Sequence, residues 1–177
     1  MTGIKMEGKE RTFMEKNADS SRVRPGLLLL SLALPVGTGL LSSLLSGDIG
    51  KSYEKLVKPP FAPPGWVFGP VWLVLYLLMG YAAYRVLLKK DNNPEAREGL
   101  FDYGVQLLFN FMWTILFFGF QFRLAALVDI LALLGFLLFA IIRFYRTDKT
   151  AGLLLVPYFL WTLFAAVLNA AVWWLNL

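Results

Sequence analysis

Five stretches of about twenty residues, each with at most one charged side chain, leave this chain very few folds. A helix rises about 1.5 Å per residue, so roughly 20 apolar residues cross a hydrocarbon core of about 30 Å. The stretches run over residues 25–45, 66–84, 103–122, 124–142 and 150–177, and only the fourth holds a charge, Asp129. Inside a bilayer every backbone polar group must be satisfied within its own segment, which makes these segments helices. Their connections are too short for a separate soluble domain. The pattern therefore predicts an all-α integral membrane protein, a bundle of five transmembrane helices, with one membrane domain over 25–177. Residues 1–24 mix basic and acidic side chains without apolar periodicity and read as a disordered charged tail. The first apolar run is too long for a signal-peptide core and has no clean cleavage pattern, so it reads as an uncleaved helix.

What is missing narrows the chemistry. The chain has no histidine and no cysteine, so bis-histidine haem ligation, zinc proteolysis, thiol-disulfide exchange and Ser-His catalysis lack their residues. No metal site is expected. The net charge of +5 is explained by an asymmetry between the two ends of the bundle. One end collects the tail, Arg85, Lys89, Lys90, Arg97, Arg143, Arg146 and Lys149; the other has only Lys51, Lys55, Lys58 and Arg123. The positive-inside rule then places the N-terminus in the cytoplasm and the C-terminus on the outer side. Anionic lipid accounts for the basic excess, and no nucleic-acid partner is inferred.

The longest connection, 46–65, carries Tyr53, Leu56, Val57 and Phe61 with Pro59, Pro60, Pro63 and Pro64. Proline fixes φ and restricts the residue before it, so this loop is expected to be stiff and to fold back as a lid over the bundle. The alternative is a rigid connector that only starts the second span.

Lipid gives helices little reason to hide leucine, so the polar, small and aromatic residues within the spans carry the meaning. Gln106, Asn110, Trp113 and Phe117 share one face of the third span. The two amides either tie neighbouring helices together or give a ligand its few polar contacts. Asp129 is expected to face inward or to lie near the headgroups beside Arg123. Trp161, Ala165 and Asn169 share a face of the fifth span; Trp72, Tyr76 and Gly80 align on the second. Trp173 and Trp174 suit an interfacial belt. Trp72 and Trp161 lie inside spans and offer flat π surfaces to a planar ligand, or simply pack. An aromatic and amide lining built mainly by the second, third and fifth spans is expected.

These motifs resemble a known family. The segment KSYEKLVKPPFAPPGWVFGPVWLVLYLLMGYAAYRVLL (51–88) resembles the first loop and second helix of the TspO/MBR family, the tryptophan-rich sensory proteins and translocator proteins. GVQLLFNFMWTILFFG (104–119), RLAALVDILAL (123–133) and LLLVPYFLWTLFAAVLNAAVWW (153–174) resemble its third, fourth and fifth helices. The resemblance implies a five-helix bundle, often a homodimer, that acts as a receptor or sensor for tetrapyrroles such as protoporphyrin IX, and in some members for sterols and benzodiazepine-like drugs. Porphyrin is then a ligand, and no cofactor is required. The implied pocket includes Tyr53, Pro64, Trp72, Asn110, Trp113, Trp161, Ala165 and Leu168. In the family the tryptophans matching Trp72 and Trp161 are linked to light- and oxygen-dependent porphyrin breakdown. They are the only catalytic candidates, and the reading leans away from an enzyme. Transport of porphyrin or another lipophile is the other alternative. Two departures stand out. Ala170, Ala171, Trp173 and Trp174 occupy the region of the vertebrate sterol-recognition stretch, and Phe61 takes the place of a tryptophan some bacterial members carry before the Pro-Pro pair.

Overall fold

The computed structural model describes residues 24–177, so the expectation of a disordered tail over 1–24 falls almost wholly outside the described residues. The elements are α1 (Pro25–Leu45), a short α2 (Ile49–Glu54), α3 (Phe68–Leu87), α4 (Pro94–Thr114), α5 (Arg123–Thr147) and α6 (Lys149–Leu175). A 3-10 turn at Gly65–Val67 leads into α3 and a π turn at Ile115–Gly119 ends α4. All but α2 are long and apolar enough to span a membrane. The chain is a multi-pass integral membrane protein.

Local chemistry places the ends. Pro25 and Pro94 open α1 and α4, where a missing N–H costs nothing. The side chains of Asn93, Asp48 and Asp148 cap α4, α2 and α6. Gly47, at φ +76°, turns the chain out of α1. The third span begins nine residues before the charge-free window, at Pro94 rather than 103, because charges in its first turns find partners. Arg143 of α5 bonds Asp102 and, at 3.1 Å, Glu98. Arg146 reaches Glu95 at 3.2 Å.

Packing closes a ring: α1 lies against α3, α3 against α6, α6 against α5, α5 against α4, and α4 returns to α1. The half towards the basic end is solid. Met79, Ala82, Val86, Leu137, Phe144, Leu155 and Tyr158 have no exposed surface there. At the other end Phe117, Ala126, Leu168 and Val172 form a smaller cluster under the connection 46–65. Outward leucines such as Leu29, Leu44, Leu108 and Leu153 form the surface offered to lipid. Of the two tryptophans read as an interfacial belt, Trp174 is exposed and Trp173 half-buried; Trp66 is exposed at the same end, opposite the basic residues.

The tightest crossing is that of α1 over α3. Pro35 lies inside α1 and has no amide for the carbonyl of Ser31, four residues earlier. Gly80 of α3 sits against that carbonyl. A Cβ there would lie 2.6 Å from Ser31 O and 2.7 Å from Leu32 Cα.

Between α5 and α6, Asp148 gathers Arg85 through two bonds (3.1 and 3.0 Å), Lys89 at 2.8 Å and the amide of Ala151 at 3.0 Å. Burial on its own would raise the Asp148 pKa, but the hydrogen bonds from Arg85, Lys89 and Ala151 outweigh it and hold the carboxyl well below its usual range. A folded pKa below the unfolded one means stabilisation that is complete above about pH 4 and is lost as pH falls below that value. Asp148→Asn keeps a capping side chain and removes the charge. It should lower stability by about 2 kcal/mol at pH 7, as charge-assisted bonds do. Detergent unfolding of the two proteins should show that difference unchanged from pH 7 to 5 and shrinking below pH 4; a gap independent of pH down to the acid limit would refute the pairing.

Candidate functional site

Where α1, α3 and α4 diverge towards the less basic end, they leave a cavity of about 350 Å³. Its walls are Val36, Gly39, Leu40 and Ser43 from α1, Phe68, Trp72, Leu73 and Tyr76 from the α3 side, and Trp113, Thr114 and Phe118 from α4. The connection 46–65 closes one end with Ile49, Gly50, Tyr53 and Gly65. Leu40 and Leu73 line the cavity and are more than half exposed, so its open side faces the lipid rather than water.

The aromatic walls are stacked and anchored. Trp72 stacks on Tyr76, with centroids 5.5 Å apart and planes at 29°. Tyr76 occupies its place because Gly39 has no side chain; a Cβ there would fall 2.3 Å from the ring. The Tyr76 hydroxyl donates to Asn110 Oδ1 at 3.0 Å, Asn110 Nδ2 donates to Tyr158 OH at 3.1 Å, and Tyr158 donates to Gln106 Oε1 at 2.9 Å. This chain of bonds ties α3, α4 and α6 together. The amides that the sequence singles out do structural work here: Gln106 and Asn110 are 0% and 2% exposed, and neither lines the cavity. Trp113 stacks on Phe117 at 5.3 Å, and its indole N–H donates to Asn169 Oδ1 at 3.0 Å. Asn169 in turn donates to the carbonyl of Arg123 at 2.9 Å, so α4, α6 and the start of α5 share one polar anchor.

The connection over the cavity is bonded at both ends. Tyr53 OH donates to Pro63 O at 2.7 Å, and its ring meets Phe68 edge-on at 5.2 Å. Burial raises the Tyr53 pKa, which keeps the phenol a donor. Val57 and Asn176 exchange two hydrogen bonds, 3.1 and 2.9 Å, which fasten the loop to the end of α6. Lys58 is occupied with the carbonyls of Tyr53 and Glu54, and Lys51 with Asp48 at 2.9 Å. Lys55 has no ion-pair partner among the described residues.

The eight sequence candidates therefore divide. Tyr53, Trp72 and Trp113 line the cavity. Asn110 stands directly behind Tyr76, and Pro64 is exposed at the turn into α3, beside the lining Gly65. Trp161, Ala165 and Leu168 lie beyond a partition made by Phe68 and Trp113. Trp161 meets Phe68 edge-on at 6.0 Å, Ala165 packs with Ile130 and Leu134, and Leu168 packs with Phe117 and Val172. The Trp161 N–H is buried without a partner among the described residues. The sequence reading missed the wall from α1, whose signal was only the small-residue run Gly37, Thr38, Gly39 with Ser42 and Ser43. Asp129 is 9% exposed, with one carboxylate oxygen shut off and unpartnered, and does not reach the cavity. Among the described residues no cluster of acidic side chains could hold a metal ion.

Comparison with known proteins adds a family-level match. The model of the TspO/MBR family matches residues 31–175. The tryptophan-rich protein TspO of Chlorobaculum tepidum is 39% identical over 153 residues, which cover 84% of this chain and 97% of that one. The human translocator protein is 37% identical over 144 residues, 81% of this chain and 85% of that one. The tryptophan-rich sensory protein of Cereibacter sphaeroides is 36% identical over 148 residues, covering 84% and 88%.

Proposed function

This chain belongs to the TspO/MBR family, and from that premise we propose that it is a membrane receptor that binds tetrapyrroles such as protoporphyrin IX in the aromatic cavity beneath the connection 46–65. The observation that carries the reading is the pair of anchored indole walls, Trp72 stacked on Tyr76 and Trp113 fixed by Asn169, facing a cavity open to lipid. Flat π surfaces held rigid in an apolar cleft suit a planar macrocycle, which loses little further entropy to them on stacking. A cavity of about 350 Å³ is at the small end for ligand sites. A macrocycle would fill it and project through the gap between Leu40 and Leu73, or press Phe68 aside towards Trp161. Its propionates would meet Lys55, or Lys51 in exchange for Asp48. Sterols and benzodiazepine-like molecules are the other lipophiles of suitable character. In the same proposal the basic end, with the N-terminus, faces the cytoplasm, and the receptor works as a homodimer.

A titration with protoporphyrin IX in the dark tests this. Tryptophan fluorescence should fall on binding, and Trp72→Phe should reduce that quenching more than Trp161→Phe, because Trp161 lies behind Phe68. Unchanged fluorescence at saturating porphyrin would sink the proposal. Repeating the titration in light while following the Soret band separates binding from breakdown: bleaching that needs the protein and its two tryptophans would support the degrading alternative instead.

A further inference from the structure

At the basic end, opposite the aromatic cavity, the end of α3 and the turn between α5 and α6 border a second, shallow and open concavity. It is lined by Arg85, Lys89, Arg146 and Lys149, with Thr147, Thr150, Tyr145 and Asp148. Four cations meet one carboxylate in this lining, and a second carboxylate, Glu95, reaches Arg146 from outside at 3.2 Å. The balance is two positive charges. Arg85 and Lys89 are already neutralised in part by Asp148, whereas Lys149 has no ion-pair partner among the described residues. The first turn of α6 also opens here. Asp148 takes the amide of Ala151, and the Asp148 carbonyl takes that of Gly152 at 3.1 Å. The amides of Lys149 and Thr150 have no acceptor in the described structure. The Thr150 side chain is exposed beside them and lines the same concavity.

Cations, free amides and a threonine hydroxyl around one concavity are what an oxyanion with several acceptor atoms needs. The position supplies the rest of the chemistry. The concavity lies at the end of three membrane-spanning helices, with the half-exposed rings of Tyr81 and Tyr145 at 41% and 44% beside it on the lipid-facing surface. Basic pockets between spans at the positive end of a membrane protein take anionic headgroups, whose acyl chains stay against the lipid-facing surface. We propose that this concavity is a binding site for the phosphate headgroup of an anionic phospholipid, with Lys149, and Arg146 in exchange for Glu95, supplying the charge, and with Thr150 as a neutral donor.

The test is native mass spectrometry of the full chain in detergent, given equal amounts of phosphatidylglycerol and phosphatidylcholine. Wild type should retain phosphatidylglycerol preferentially. The double variant Arg146→Gln/Lys149→Gln should weaken that retention roughly tenfold and leave phosphatidylcholine unaffected. Both side chains are exposed, so helix content by circular dichroism should not change. Lys90→Gln/Arg97→Gln removes the same charge from the same end but outside the concavity, and should retain phosphatidylglycerol like wild type. Equal loss in the two double variants, or equal retention of both lipids by wild type, would each overturn the assignment.

Discussion

Asn110→Leu is expected to cost about 2 kcal/mol of stability and to weaken the proposed porphyrin binding as well, although Asn110 does not line the cavity. The amide accepts from Tyr76 and donates to Tyr158. Tyr158 keeps its bond to Gln106, but the Tyr76 hydroxyl loses its one hydrogen-bond partner among the described residues. Hydrogen bonds between membrane helices average about 0.6 kcal/mol, with a maximum near 1.7, because a chain unfolded in lipid also finds partners. Two such bonds and one stranded hydroxyl give about 2 kcal/mol, a roughly 30-fold change in the unfolding equilibrium. The second effect follows from Trp72, which stacks on the ring that Asn110 holds. Unfolding in a graded denaturing detergent should report the first loss and porphyrin quenching the second. The decisive control is a cycle with Tyr76→Phe. In that background Asn110→Leu should cost less, since the two changes remove the same bond; strict additivity would mean that the amide acts elsewhere.

Gly80→Leu is expected to do more, separating α1 from α3 and opening the cavity along its first wall. The obstacle is backbone, namely Ser31 O and Leu32 Cα, and no rotamer change relieves it. Overpacking of this kind costs about 1–3 kcal/mol where a core can adjust. Gly80→Ala should fall in that range and Gly80→Leu at or above its top. α1 is the helix that will yield, because among its residues only Ser31, Pro35 and Ser42 are buried. Since α1 also supplies Val36, Gly39, Leu40 and Ser43 to the cavity, the same displacement should weaken the proposed porphyrin binding. Gly37→Ala provides the contrast. Nothing lies within 4 Å of a Cβ there, and alanine favours helix over glycine by up to about 1 kcal/mol, so its stability should hold or rise. If Gly80→Leu unfolds at the same detergent fraction as Gly37→Ala, the close crossing is not what joins α1 to the bundle.

The five spans and the asymmetry of the basic residues were legible from residue types alone. Hydrocarbon is an unforgiving solvent, and a charge-free run of twenty residues has one conformational answer in it. The ends of α4 and α5 were less so, because a charge-free window stops at Asp102 and Arg143, whereas the helices continue through both and pair them. Family motifs marked aromatic and amide residues of interest but could not say which shared a surface. Trp72 and Trp161 appear equivalent in sequence, yet Phe68 stands between Trp161 and the cavity. For Gln106 and Asn110 the sequence left open whether they tie helices or line a cavity; they spend their bonds on Tyr158 and Tyr76. The contribution of α1 was the least visible, since its wall is defined by what Gly39 lacks, and its neighbours in space, Tyr76 and Gly80, lie some forty residues away. Hydropathy reports how each segment meets lipid. Which segments meet each other depends on ring order, close approach at small residues and hydrogen-bond partners across the bundle, and those are properties of pairs of helices.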